Sequence, residues 1–259
     1  HIPESSVLVA STGVIGMQLP IDRIAKGVGL LAESKASTEE AGLEAAKAIM
    51  TTDTKKKYAA VRIRIGDKDV PVGGMCKGSG MMHPNMCTML AFVTTHAAIT
   101  KELLQKALSE DVQYTYYMIS VDGDTYTNDT VLLLANGMAE NPVIDREDEN
   151  YQAFKEALHY VNTELAKKFA GDGEGATCLF EVKVIGAASK ADAVTLSKSV
   201  VTSSLTKAAI YGHDANWGRI LCALGYAGVQ FDPEKVDLYF ESAAGKLKII
   251  ENGVSTGYS

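Results

Sequence analysis

Four cysteines, six prolines and one tryptophan are all that 259 residues contain of these types, and aromatic residues amount to 7%. Cys76, Cys87, Cys178 and Cys222 form no Cys-x-x-Cys pair, and no histidine stands at metal-ligand spacing from them. That pattern argues against a disulfide scaffold or a zinc site, and the four are expected to be reduced, buried thiols of a cytoplasmic protein. No run of 18 apolar residues occurs, so no membrane-spanning helix is expected. His1 to Ser5 is too polar for a secretory core. Basic residues are outnumbered, 25 Lys and Arg against 32 Asp and Glu, for a formal net charge of −7. Such a chain is poorly suited to binding nucleic acid or an anionic membrane by charge. What is abundant is ordinary globular material, 46% hydrophobic and 22% charged, enough for one large domain or two modest ones. The chain begins at His1 rather than Met, which leaves open whether 259 residues is the whole protein.

Local patterns indicate mixed helices and strands. Val7 to Ala10 reads as a buried strand. Ser37 and Glu40 form a capping-box signature ahead of an Ala-rich helix over Ala41 to Met50. Val61, Ile63 and Ile65 alternate with Arg62 and Arg64, a half-exposed strand, and Gly66 to Asp69 turns it into a partner over Val70 to Met75. Met89 to Ile99 is apolar and Lys101 to Ser109 a helix. Gln113 to Val121 and Thr130 to Ala135 read as strands joined through Asp122-Gly123-Asp124. Phe154, Ala157, Leu158, Val161 and Leu165 recur at helical spacing before Gly171. Leu179 to Ile185 reads as a strand, Ser189 with Asp192 opens a helix towards Tyr211, and Val236 to Phe240 and Leu247 to Ile250 are late strands. The class is α/β (α+β) with substantially antiparallel sheet.

The most unusual composition lies between Gly73 and Leu90, where Gly73, Gly74, Gly78 and Gly80 fall within eight residues. Glycines let backbone approach a ligand or adopt positive φ. A plain connection between two elements is the competing reading. A P-loop is excluded, because Lys77 is followed by Gly78 rather than Ser or Thr.

Lys77-Gly78-Ser79-Gly80-Met81, with His83-Pro84-Asn85-Met86-Cys87-Thr88-Met89-Leu90, resembles the self-cleavage region of the ornithine acetyltransferase family, the glutamate N-acetyltransferases of arginine biosynthesis. Six further segments resemble family motifs in the same order: Ser11 to Gly16, Ile49 to Thr54, Ser120 to Asp124 with Asn128-Asp129-Thr130, Ala135-Asn136-Gly137, Asp172 to Thr177, and Asp214 to Ile220. The resemblance thus spans almost the entire chain. It implies a self-cleaving fold of the DmpA/ornithine-acetyltransferase type, with helix–sheet–sheet–helix layers. It also implies cleavage between Cys87 and Thr88, so that residues 1–87 are the C-terminal part of an α-chain and residues 88–259 a β-chain lacking its C-terminal tail, the two forming one intertwined catalytic unit. The family usually has Ala where Cys87 stands; both residues are small.

The residues suit that chemistry. A Thr hydroxyl is a poor nucleophile at neutral pH, whereas a freed α-amino group, with a reference pKa of about 8, serves as a base on the same residue. By resemblance, Thr88 would attack the acetyl group of N-acetylornithine, become acetyl-Thr88, and pass the acetyl group to glutamate in a ping-pong transfer. Thr12, through its hydroxyl, and Gly13, through its backbone N–H, are implied as oxyanion donors. Thr51 is implied as a substrate contact, with Thr52 one register away as the alternative. Lys77 would hold the substrate α-carboxylate and Glu174 the ornithine amine. On residue type alone, Lys77 would be a solvated lysine, Glu174 a loop residue, and Thr12-Gly13 a strand-to-turn junction. No metal and no cofactor are called for; acetyl-CoA as a further acetyl donor is left open. The partners implied are the two small substrates, the two segments of one precursor, and a second cleaved protomer in a homodimer.

Other candidates carry less. Asp122, Asp124 and Asp129 lack the spacing of a calcium loop and read as strand-turn residues. His83 and His213 have no role in this mechanism, and His96, His159, Trp217 and Arg219 read as structural. The family extends further at both ends, including a tail that completes the substrate site, so a partial chain is expected. A self-cleaving amidohydrolase or aminopeptidase, and an inactive fragment, are the competing functional readings.

Overall fold

The computed structural model describes residues 3–80, 89–124 and 128–257. They divide into two units, one ending at Ala176 and one beginning at Thr177.

In the first unit, α1 (Ile21–Ser34) and α2 (Glu39–Ala48) precede a sheet of β1 (Lys57–Ile65), β2 (Lys68–Lys77), β3 (Leu90–Thr95) and β4 (Thr130–Ala135). The strand order is β1-β2-β3-β4; the first two pairings are antiparallel and the third is parallel. The expected alternation holds in β1, whose Arg62 and Arg64 are exposed while Ile65 is buried. Gly66, with φ 62°, turns the chain into β2.

Between β3 and β4 lies α3 (Lys101–Asp111), and after β4 comes α4 (Glu149–Ala170). The Asp148 side chain caps α4 by accepting from the Asn150 and Tyr151 amides. One face of α4 supplies the core: Tyr151, Phe154, Leu158, Val161, Leu165 and Phe169 are fully buried with Val70, Val72, Cys76, Ala91 and Val93 of the sheet. Burying each such side chain contributes about 1.5–3 kcal/mol before entropy is counted. Gly74 permits this packing, because a Cβ there would stand 3.1 Å from Leu165 Cδ1 and from the Phe92 carbonyl oxygen. Gly73 and Gly74 therefore belong to β2, and the loop begins only at Gly78.

In the second unit, α5 (Lys190–Thr202), α6 (Ser204–Tyr211) and α7 (Trp217–Gly225) pack together, and β5 (Leu238–Ser242), β6 (Gly245–Glu251) and β7 (Val254–Ser255) form an antiparallel sheet. Ser189 caps α5 through the Asp192 amide as expected, but the helix is interrupted at Ser203, whose side chain caps α6.

The architecture is mixed α/β with mostly antiparallel pairing, as the sequence implied. Several local expectations fail for identifiable reasons. Val7 to Ala10 has no strand partner among the described residues, and Val9 is 84% exposed. Leu179 to Ile185 likewise joins no ladder. Val112–Tyr114 and Tyr116–Met118 are 3-10 turns, not strand. They place Tyr116 against Phe169, with rings 6.0 Å apart, and let its hydroxyl donate to Asn162 Oδ1 at 2.9 Å. The cap of α2 is Thr38, which accepts from the Ala41 amide, rather than Ser37. Cys76 is buried, but Cys178 and Cys222 are exposed. Helices α1 and α7 carry no signal noted in the sequence. Among the described residues no helix is long and apolar enough to cross a membrane.

Candidate active site

Strand register brings the chemistry to one end of the first unit's sheet. Lys57 opens β1 opposite Cys76, Lys77 ends β2 opposite Leu90, and Leu90 opens β3 opposite Thr130 of β4. The turn before β1, the loop after β2 and the residues before β3 and β4 therefore meet there.

Lys57 is the hub. Its side chain is 1% exposed, and its ammonium donates to Asp53 Oδ1 at 2.6 Å and to Asp172 Oδ2 at 2.5 Å. Asp53 also accepts from the Thr51 amide at 3.1 Å and the Gly78 amide at 2.7 Å. Asp172 accepts from the Thr54 amide at 3.0 Å, from the Thr54 hydroxyl, and from the Lys55 amide. Burial works to raise both carboxyls. For Asp53 the Gly78 amide and Lys57 outweigh it, and for Asp172 Lys57 and Thr54 do; both are held below the ordinary carboxylate value. One lysine thus ties the Thr51–Thr54 turn, the start of the loop after β2, and the loop after α4. Gly78, at φ 145°, adopts backbone that a side chain would strain.

Lys77 is 3% exposed rather than solvated. Burial pushes its ammonium below the ordinary lysine value, while Asp53, Asp129 and Glu174 draw it back up. Glu174 is exposed, and its amide donates to the Ser79 carbonyl at 2.7 Å. Its carboxyl lies over Gly80, where a Cβ would meet Glu174 Cδ at 2.7 Å. Thr52 Oγ1 and Ser79 Oγ share a hydrogen bond of 2.6 Å. Thr51 is fixed through its backbone and its side chain is exposed. The Asn128 side-chain amide donates to the Ser11 carbonyl, which brings the Thr12-Gly13 segment to the same end. There Thr12 is half-buried and Gly13 exposed, the latter with Leu19 beside it. Cys87 and Thr88 lie outside the described residues. Met89, which follows Thr88, donates its amide to Asp129 Oδ1 at 2.8 Å.

Lys77, Glu174, Thr52, the Thr51 backbone and the Thr12-Gly13 segment are therefore gathered at one sheet end. Sequence reasoning missed Lys57, Asp53 and Asp129. Asp53 and Asp129 lie within quoted motifs, but nothing in the sequence separates Lys57 from its neighbours Lys55 and Lys56. Among the described residues no three His, Cys, Asp or Glu side chains gather as a metal site would require. The arrangement offers a buried cation for a carboxylate, an exposed carboxylate for an amine, and hydroxyl and amide donors beside them.

Fold and site together define a mixed α/β protein with a charge-lined site at the end of its sheet. The profile of the ArgJ family matches residues 1–259, and the chain belongs to that family. It is 52% identical over 253 residues to the arginine biosynthesis bifunctional protein ArgJ of Caldanaerobacter subterraneus subsp. tengcongensis, covering 98% of this chain and 62% of that protein. It is 49% identical over 253 residues to the protein of the same name from Thermotoga neapolitana, covering 98% and 63%. The crystal structure of the Bacillus halodurans arginine biosynthesis bifunctional protein matches with a TM-score of 0.60 at 44% identity, over 65% of this chain and 77% of that one. The chain thus spans somewhat less than two thirds of the length of these two sequence relatives.

Proposed function

We propose that the protein carrying this chain is a glutamate N-acetyltransferase of arginine biosynthesis, working in the cytoplasm. It transfers acetyl from N2-acetyl-L-ornithine to L-glutamate through acetyl-Thr88. Cleavage between Cys87 and Thr88 divides this chain into residues 1–87 and 88–259 and frees the Thr88 α-amino group as the base for its own hydroxyl. The hydroxyl attacks the acetyl carbonyl, the oxyanion is held by the Thr12 hydroxyl and the Gly13 amide, and ornithine leaves. Glutamate then attacks acetyl-Thr88 through a second tetrahedral state. Such a donor is typically worth ~10²–10³ in turnover.

The observation that carries this reading is the meeting of Lys77 and Glu174 at the sheet end where Met89, the residue after Thr88, leads into β3. A buried lysine whose ammonium is held below its ordinary value favours an arriving carboxylate. Glu174 complements the ornithine amine. Thr52, whose hydroxyl is already engaged with Ser79, and Thr51, whose side chain is exposed, are both at hand for the substrate. Family membership supplies the reaction class, and the name "bifunctional" borne by the relatives supports acetyl-CoA as a second donor. The cleaved protomers are proposed to pair as a homodimer.

Incubation of the full-length protein with N-acetylornithine tests this. Ornithine release that requires glutamate is the expected result; release without glutamate is hydrolysis and contradicts transfer. Turnover with acetyl-CoA as sole donor tests the second activity.

A further inference from the structure

Two buried side-chain oxygens on the segment that holds Met89, the residue after the proposed nucleophile, have no hydrogen-bond partner among the described residues: Asp129 Oδ2 and Asn128 Oδ1. Buried polar atoms are normally paired, and an unpaired carboxylate oxygen is costly. The other atoms of the same side chains are committed. Asp129 Oδ1 accepts from the Met89 amide at 2.8 Å, and the Asn128 amide nitrogen donates to the Ser11 carbonyl. Met89 is itself fixed, since its carbonyl accepts from the Thr130 amide at 2.9 Å. The carboxylate is thus locked to the nitrogen that follows Thr88, with one oxygen left over. Met89 follows Thr88 directly in the chain, so the held nitrogen belongs to the peptide bond on the carboxyl side of Thr88.

We infer that Asp129 is a positioning residue for the N-terminal nucleophile, its free oxygen accepting from the α-amino group that cleavage exposes on Thr88, with Asn128 as a second acceptor. The inference rests on the proposed function. In the first half-reaction the Thr88 Oγ–carbon bond forms and the hydroxyl proton passes to the α-amine. That proton then goes to the ornithine nitrogen as its bond to the acetyl carbon breaks. The amine is transiently an ammonium, and an adjacent carboxylate stabilises that charge where it develops. Taking one N–H also fixes rotation of the amine, so its lone pair faces the hydroxyl. Asp129 bears a cost for this placement: burial, opposed by the Met89 amide and Lys77, pushes its carboxyl up to about 6. The charged side chain facing it is Lys77 from β2, on which Asp53, Lys57 and Glu174 act in turn.

Asp129→Asn in the full-length protein is the test, because it keeps an acceptor for Met89 and removes the anion. Extent of cleavage is read by mass spectrometry and kcat is normalised to cleaved enzyme. The variant should lose about a hundredfold in kcat with KM within about twofold. The acid limb of its pH–rate profile should move about one pH unit lower, since an ammonium without its carboxylate loses a proton more readily. Wild-type kcat and pH profile in the variant would overturn the inference, and so would a loss of kcat with the acid limb unmoved, which marks Asp129 as merely structural. Thr88→Ala in parallel separates the two readings. If that variant still turns over, the proposed function fails; if it is inactive and Asp129→Asn is unchanged, only the role of Asp129 fails.

Discussion

Two groups of carboxylates share one end of the same sheet and have opposite fates. Asp53 and Asp172 are saturated with donors around Lys57, and their carboxyls sit below the ordinary range. Asp129 has one donor and a vacant second oxygen, and burial leaves its carboxyl raised. Asp129 is the least buried of the three, so burial does not account for the contrast; completeness of pairing does. A fully paired charge cluster holds loops in place. A half-paired carboxylate retains capacity for a partner that arrives later, at a standing cost in stability, which is how functional sites commonly depart from structural optimality.

The largest effect expected from this contrast follows loss of Lys57. Lys57→Met leaves two buried carboxylates without their cation and should cost about 3–5 kcal/mol in urea unfolding. A loss under about 1 kcal/mol would erase the distinction between the two groups. Acid breaks the same cluster without mutation. Lowered folded-state values stabilise above about 4, and the stabilisation is lost as pH falls further. Thermal melting should therefore drop steeply below pH 4, and in Lys57→Met that drop should flatten. A smaller, purely kinetic effect is expected from the exposed Glu174: Glu174→Gln should raise KM for N-acetylornithine about tenfold, as loss of a hydrogen bond to a charged group costs about 1.5–3 kcal/mol, with melting unchanged. Smallest is Thr52→Val, which removes the hydroxyl partner of Ser79 and should cost about 1 kcal/mol. Comparing its KM with that of Thr51→Val decides which of the two hydroxyls meets the substrate.

Much of the sheet and its long helix was legible because period and caps agree with the packing. The alternation of Val61, Ile63 and Ile65, the Phe154–Leu165 spacing and the Ser189 cap all have local physical causes. Gln113 to Val121 misled because Tyr-rich composition mimics a strand, while the hydroxyl of Tyr116 and the edge of its ring found better partners on α4. Val7 to Ala10 misled because an apolar run states only that burial is favourable, not what will pair with it. In the site, Lys77 and Glu174 were reached through motif resemblance; their residue types alone argued for solvated surface. Lys57 was illegible, since its role depends on Asp53, four residues away, and Asp172, brought close only by the docking of α4. Asp129 was set aside as a turn residue, because an unpaired oxygen is a property of the folded surroundings and leaves no trace in composition.

Mass spectrometry of the full-length active protein, before and after incubation with N-acetylornithine and without glutamate, addresses the central claim most directly. The account predicts two pieces divided between Cys87 and Thr88, with one acetyl group appearing on the N-terminal residue of the second. An unbroken chain in fully active enzyme, or an acetyl group on any residue other than Thr88, would contradict it.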